Sequence, residues 1–354
     1  MHIPIKLNTI LSNYKISSFA PIRIDCGNTW DLELLALTHQ WINPHTVNFA
    51  LKYEVCIEFL PFEKNMICIE SKEYGTTIIK SKHLPFNDKY KSLIAILSYY
   101  NVSGLKLNIS SPLPSQSGFG TSASVHVALI AGLSKILNLL NISKELQLDE
   151  IANLAYKFEK LFITTGFQDH LVATYGGVHR WDFAFDNKQK NFRQEELINC
   201  SNYENFEQHI LIAYTEEKHI SNHITEEWIL NFSNPTNREK WLKVNEYSNN
   251  FSIAIKKLDF KLAINALKNE FKTRVDLDKN CLTKLSNMLV NKAQNNNCAV
   301  RFTGAGYGGG IWAFGKKDYI KSLKDEWELL EKEYEKIHII SNKLTNKGVN
   351  VNVK

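Results

Sequence analysis

The segment that most constrains this chain is a glycine- and serine-rich loop running straight into an almost wholly apolar helix. Residues 114–124 read Pro-Ser-Gln-Ser-Gly-Phe-Gly-Thr-Ser-Ala-Ser, and residues 122–140 read SASVHVALIAGLSKILNLL. A helix that apolar is normally buried within its domain. The strand expected before it, Leu105–Ser110, alternates as a half-buried strand should. Glycines at 118 and 120 let the backbone approach a ligand closely and take positive φ. The helix mouth offers unpaired N–H groups and the positive end of the macrodipole, so the whole unit can hold an anion. Its Ser and Thr hydroxyls can cap the helix or reach a Mg²⁺ ion. Local composition alone also allows a loop that does no more than cap a buried helix.

Around this unit the pattern is mixed. Strands are expected over 47–59, 76–80, 178–183, 209–214, 298–303, 311–315 and 348–353, where β-branched and aromatic residues dominate or alternate. Helices are expected over 89–100, over 317–336, across most of 217–297, and from an N-cap at Ser143 to about Phe162. The polar, Asn-rich stretch 186–207 reads as a boundary, dividing the chain into 1–190 and 191–354. This is an α+β architecture in two halves. The chain has 354 residues, enough to bury a sizeable core.

Two familiar nucleotide loops are excluded. There is no G-x-x-x-x-G-K-[ST] sequence. Ala123 stands where a Rossmann loop needs its third glycine, and the apolar helix continues where that fold expects an acidic residue ending a second strand. Residues 114–124 instead resemble the second motif of the GHMP kinases, P-x-x-x-G-L-G-S-S-A. Ala20-Pro-Ile-Arg23 resembles their first motif, A-P-x-R, and residues 303–310, Thr-Gly-Ala-Gly-Tyr-Gly-Gly-Gly, resemble the third. The three come in order and span nearly the whole chain. Residues 158–177, FEKLFITTGFQDHLVATYGG, and residues 20–31, APIRIDCGNTWD, are similar to the branch containing L-fucokinase and D-glycero-D-manno-heptose 7-phosphate kinase.

The resemblance implies a two-domain fold, with an N-terminal half like ribosomal protein S5 domain 2 and a ferredoxin-like C-terminal half. It implies an ATP-dependent sugar kinase that uses Mg²⁺ and makes a sugar 1-phosphate. Position by position, it implies that Pro114, Ser117, Gly118, Phe119, Gly120, Thr121, Ala123 and Ser124 bind ATP, with Gly304, Gly306, Gly308 and Gly309 in a loop packed against them. Ser122 and Glu159 would ligate Mg²⁺. Asp169 would accept or orient the proton of the attacking hydroxyl, with Arg23 beside it lowering its pKa. Asp31 and Gly176, with Arg23 and Asp169, would meet the sugar. A GHMP-fold protein that has lost catalysis and binds a ligand is the alternative, and a non-sugar acceptor such as homoserine or a mevalonate derivative is disfavoured by the T-T-G-x-Q-D stretch.

The remaining features set limits. A net charge of +5 spread along the chain reads as a solvated surface and not as a nucleic-acid footprint. The six cysteines form no Cys-x-x-Cys and read as reduced thiols. No window of eighteen consecutive apolar residues occurs and the N-terminus has no signal-peptide pattern, so a cytoplasmic protein without a membrane span is expected. The resemblance allows a homodimer. Residues 216–223, Glu-Glu-Lys-His-Ile-Ser-Asn-His, depart from the sugar-kinase pattern and imply an altered acceptor if they face the site. His219 and His223 stand at i, i+4 with no third ligand in view, so they read as surface or substrate-facing residues.

Overall fold

A computed structural model describes residues 5–185, 191–217 and 221–354. Its first half is a strongly twisted sheet. Strands β1 (Ile16–Cys26), β2 (His45–Pro61), β3 (Met66–Ser71), β4 (Gly75–Lys80), β5 (Leu105–Ser110), β6 (Val178–Phe183) and β7 (Phe192–Ile198) all belong to it. The 17-residue β2 is its spine. Residues 56–61 of β2 pair with β5, residues 45–49 pair with β6, and β1 runs antiparallel to both stretches. Strand β7 pairs with β6 inside the stretch that the sequence suggests is a polar boundary, because Phe192, Leu197 and Ile198 turn into the core.

The second sheet is antiparallel. It holds β8 (Ile210–Thr215), β9 (Ala299–Phe302), β10 (Gly309–Phe314) and β11 (Ile337–Ile340) in the order β9-β10-β8-β11. The last strand, β12 (Asn350–Val353), returns to the first sheet and pairs with β1. The longer helices are α1 (Lys91–Tyr99), α2 (Thr121–Leu139), α3 (Leu148–Lys160), α4 (Gln168–Tyr175), α5 (Ser221–Phe232), α6 (Pro235–Lys256), α7 (Phe260–Leu277), α8 (Lys284–Asn295) and α9 (Lys317–Glu333). Helix α3 starts later than the Ser143 reading: Gln147 is its N-cap, in a capping box with Glu150. Ser143 is exposed and lies outside the helix.

Helix α2 packs on β1 and β2 and is covered by α3 and α4. Among the described residues it alone is long and apolar enough to cross a membrane, yet 72% of that window is buried inside the molecule. Leu129, Ile130, Leu133 and Ile136 are fully buried, and each contributes about 1.5–3 kcal/mol of hydrophobic stabilisation. That packing fixes the axis of α2, so its N-terminus opens at a defined point between the two sheets.

Candidate functional site

The cleft at the mouth of α2 is lined by β1, the 116–123 loop, the end of α3, the start of α4, α5 and the 304–305 turn. Arg23 sits where β1 bulges against β2, between Pro21 and Arg23. Such a bulge re-aims a side chain. Its Nε donates to Asp169 Oδ1 at 2.8 Å and its Nη2 to Asp169 Oδ2 at 2.7 Å, while Nη1 donates to the carbonyl of Gly118. This two-pronged pair ties the first strand to the first turn of α4 and to the glycine loop. Arg23 is sealed in, with 4% of its side chain exposed, whereas Asp169 keeps 23% of its own open to the cleft. Burial raises the Asp169 carboxyl from its ordinary value, and Arg23 pulls the other way without prevailing. Arg23 thus lowers it as expected, but burial outweighs that pull.

Asp31 completes an acidic pole. Its carboxylate accepts from the backbone N–H of Thr29 at 3.0 Å and of Gln168 at 3.4 Å. Burial, and then the charge of Asp169, push it up to about 6 against those two bonds. Gly166 makes room for it: a Cβ there would lie 1.8 Å from Asp31 Oδ2.

A second pole lies around Ser122 and Glu159. Ser122 Oγ donates to Glu159 Oε1 at 2.5 Å, and Thr165 Oγ1 donates to Oε2 at 3.3 Å. Burial pushes the Glu159 carboxyl up, but His170, His126 and Ser122 outweigh it and hold it at about 2. His170 Nε2 stands 2.9 Å from Oε2 and His126 Nδ1 stands 3.7 Å from Oε1. An ionised carboxylate and a hydroxyl form a hard oxygen set of the kind Mg²⁺ accepts.

The helix mouth itself is uncapped. Gly120 is the N-cap of α2 at φ 75°, and among the described residues no side-chain cap bond is made there. A helix end that opens on a cleft with uncapped amides is ready for an anion. The 303–310 loop packs against it backbone to backbone: Gly310 N–H donates to Ser117 O at 3.0 Å, and a Cβ on Gly309 would lie 2.2 Å from the same oxygen. Asp25 joins the loops by accepting from Gly304 N–H at 2.7 Å. Behind it runs a buried chain of charge. Glu270 pairs with Arg301 at 2.8 Å and Arg274 at 3.3 Å, both arginines reach Asn28, and Arg274 lies over the rings of Trp228 and Trp241.

Most residues singled out in the sequence converge here. Arg23, Asp31, Ser117, Gly118, Gly120, Thr121, Ser122, Ala123, Glu159, Asp169 and Gly304 line the cleft. Pro114 lines an adjoining recess with Tyr74 and Tyr90. Four others stand back. The Phe119 ring is fully buried in the core between the sheets, Ser124 Oγ bonds to Pro21 O, and Gly306 and Gly308 pack on Cys281 and Glu217. Gly176 caps the far end of α4 against Lys347–Gly348 and is not brought to the cleft. His219 lies outside the described residues. Asn28, Gln116, Gln168, Thr225 and Trp228 also line the cleft. Gln168 stands next to Asp169 in the TTGFQD stretch, whereas nothing in the sequence pattern places the α5 residues Thr225 and Trp228 there.

Residues 88–177 match the family described as the GHMP kinases N terminal domain. The mevalonate kinase of Methanocaldococcus jannaschii is 30% identical over 186 residues, covering 49% of this chain and 55% of that protein. The alignment thus spans about half the length of that curated relative. Among solved structures, a D-glycero-D-manno-heptose 1-phosphate kinase from Bacteroides thetaiotaomicron superposes with a TM-score of 0.71 at 15% identity, covering 95% of this chain and 98% of the other. The galactokinase of Lactococcus lactis, solved with galactose, gives a TM-score of 0.72 at 14% identity, covering 96% and 95%. Residues 88–177 thus match the GHMP kinase N-terminal domain, and the whole chain shares the two-part α+β fold of these kinase structures.

Proposed function

We propose that this chain transfers the γ-phosphoryl group of Mg·ATP to a sugar hydroxyl, the anomeric one, giving a sugar 1-phosphate. The observation that carries the reading is the fork between Arg23 and Asp169, held against Gly118 O at the uncapped mouth of α2. The phosphates would lie along the 117–123 backbone, where the first-turn amides and the helix dipole receive their charge. The nucleoside end suits the adjoining recess, where Tyr74, Tyr90, Leu113, Pro114 and Val125 offer apolar and aromatic surface.

Asp169 holds the attacking hydroxyl and takes its proton as the new O–P bond forms, the bond to the β-phosphate oxygen breaks and ADP leaves. Its raised affinity for a proton suits a base better than an ordinary aspartate, and such a base supplies about 10²–10⁴-fold. Arg23 fixes that carboxylate and faces the charge on the moving phosphoryl group. Asp31 hydrogen-bonds the acceptor's other hydroxyls. Mg²⁺, held by Ser122 and Glu159, would neutralise phosphate charge.

A second acceptor class has its own observation in favour: the curated relative that aligns at 30% identity is named a mevalonate kinase. One experiment separates the two. ADP release is measured over a panel of free and phosphorylated sugars together with mevalonate, and the phosphate on the product is located by NMR. A sugar is expected to turn over. Turnover of mevalonate alone transfers the same machinery to a non-sugar acceptor, and ADP release with no acceptor in the panel overturns both assignments.

A further inference from the structure

Behind the Ser122–Glu159 edge three helices each contribute one ligating side chain: His126 from α2, Glu159 from α3 and His170 from α4. Their ligand atoms all lie within 4.8 Å of one another. All three residues are buried, with exposures of 3%, 4% and 0%. His170 Nε2 and His126 Nδ1 face the Glu159 carboxylate at 2.9 Å and 3.7 Å, while His170 Nδ1 and His126 Nε2 have no hydrogen-bond partner among the described residues. Buried polar nitrogens are nearly always satisfied, so two without partners, beside two imidazoles gathered on one carboxylate, call for a ligand. We propose that His126, Glu159 and His170 bind a divalent transition metal of the borderline class, such as Zn²⁺ or Co²⁺.

The donor set carries the choice of metal. Two imidazoles and a carboxylate favour Zn²⁺, Co²⁺, Ni²⁺ or Cu²⁺, whereas Mg²⁺ takes oxygen. Ligands of a tetrahedral Zn²⁺ site stand roughly 3.4 Å apart, given bonds of about 2.0–2.1 Å. The 2.9 Å and 3.7 Å separations already seen bracket that spacing. Three protein ligands leave a fourth position, as in zinc sites that stay open to a further ligand. The metal would clamp α2, α3 and α4 together directly under the phosphate loop. The inference shares Glu159 with the Mg²⁺ reading but does not depend on it.

The full-length, nucleotide-free chain is titrated with Co²⁺ and followed by visible absorption. One equivalent is expected to bind with the d–d bands of a four- or five-coordinate site, and Zn²⁺ but not excess Mg²⁺ is expected to abolish them. His126→Gln and His170→Gln should each weaken binding by at least about tenfold, while Ser122→Ala should leave the bands in place. A spectrum of six-coordinate aqua type, or bands indifferent to both histidine variants, overturns the site. Bands lost only in Ser122→Ala would put the cation at the helix mouth, and the inference falls while the Mg²⁺ reading stands. If neither glutamine variant folds, NMR of the wild-type cobalt protein decides. Hyperfine-shifted imidazole N–H signals from two histidines support the site, and their absence overturns it.

Discussion

Two acidic poles meet at one cleft, and their surroundings drive them in opposite directions. Glu159 and Asp31 are buried almost equally, at 4% and 3% exposure. Glu159 is held at about 2, because two histidines and a hydroxyl surround it. Asp31 is pushed up to about 6, because burial raises it, the neighbouring acid Asp169 adds to that, and two backbone amides cannot offset them. Burial therefore does not set a carboxylate's role; its partners do. A permanently ionised Glu159 suits a cation. The Asp31–Asp169 pole, whose members resist ionisation, suits hydroxyl groups and proton transfer.

The sharpest way to break this contrast is at Asp169. Asp169→Asn keeps the shape and the possibility of a bond to Arg23 but cannot accept a proton. Turnover measured by ADP release should fall by about 10²–10⁴-fold, with nucleotide binding retained in a calorimetric titration. Wild-type turnover in the variant would remove Asp169 from the chemistry.

A smaller effect separates the poles through pH. The Asp31 carboxyl has its ordinary value near 3.8 when unfolded and about 6 when folded. The folded state then holds its proton more tightly, so the penalty from Asp31 is absent below about pH 4, grows between about 4 and 6 and is complete above 6. Glu159 has the opposite sign. Its folded value of about 2 lies below the ordinary 4.5, so its contribution is complete above about pH 4.5 and is lost as the pH falls towards 2. Asp31→Asn should therefore stabilise the chain above pH 6 by of order 2–3 kcal/mol, given about 1.4 kcal/mol per unit of pKa, and leave it nearly unchanged at pH 4. Chemical denaturation at the two pH values checks this. Equal effects at both would mean that Asp31 is not held protonated by its site.

The contrast also marks what could be read along the chain. That Arg23, Gly118, Gly120, Asp169 and Gly304 meet at one cleft was legible, because the glycines' backbone demands are visible in the residues and the ordered motif resemblance singled out Arg23 and Asp169. The fold class was legible for the same reason, since the apolar run now seen in α2 and the alternation of β5 each announce their surroundings. The surroundings of Glu159 were not. His126 lies on an apolar helix like any core histidine, and His170 follows Asp169 as an unremarked neighbour; only the packing of α2, α3 and α4 brings them to one carboxylate. Strand β7 was hidden by polar residues on its exposed face. Gly176 misled in the other direction: its φ of 68° is required by its contact with Lys347–Gly348 and not by a ligand.

The smallest of the three effects tests the other pole. Glu159→Gln keeps the size of the side chain and a carbonyl oxygen for Ser122 but removes the negative charge. Loss of an outer partner alone weakens metal binding about 10–100-fold, so loss of the charge on a ligand should raise the half-activating Mg²⁺ concentration by at least about tenfold. The acidic pole should be untouched, because Asp31 and Asp169 owe their raised values to burial and to acids other than Glu159. The pH dependence of turnover through Asp169 should then keep its midpoint at saturating Mg²⁺. A shifted midpoint with an unchanged Mg²⁺ requirement would show that Glu159 acts as part of the proton-transfer pole, and that the two poles are one.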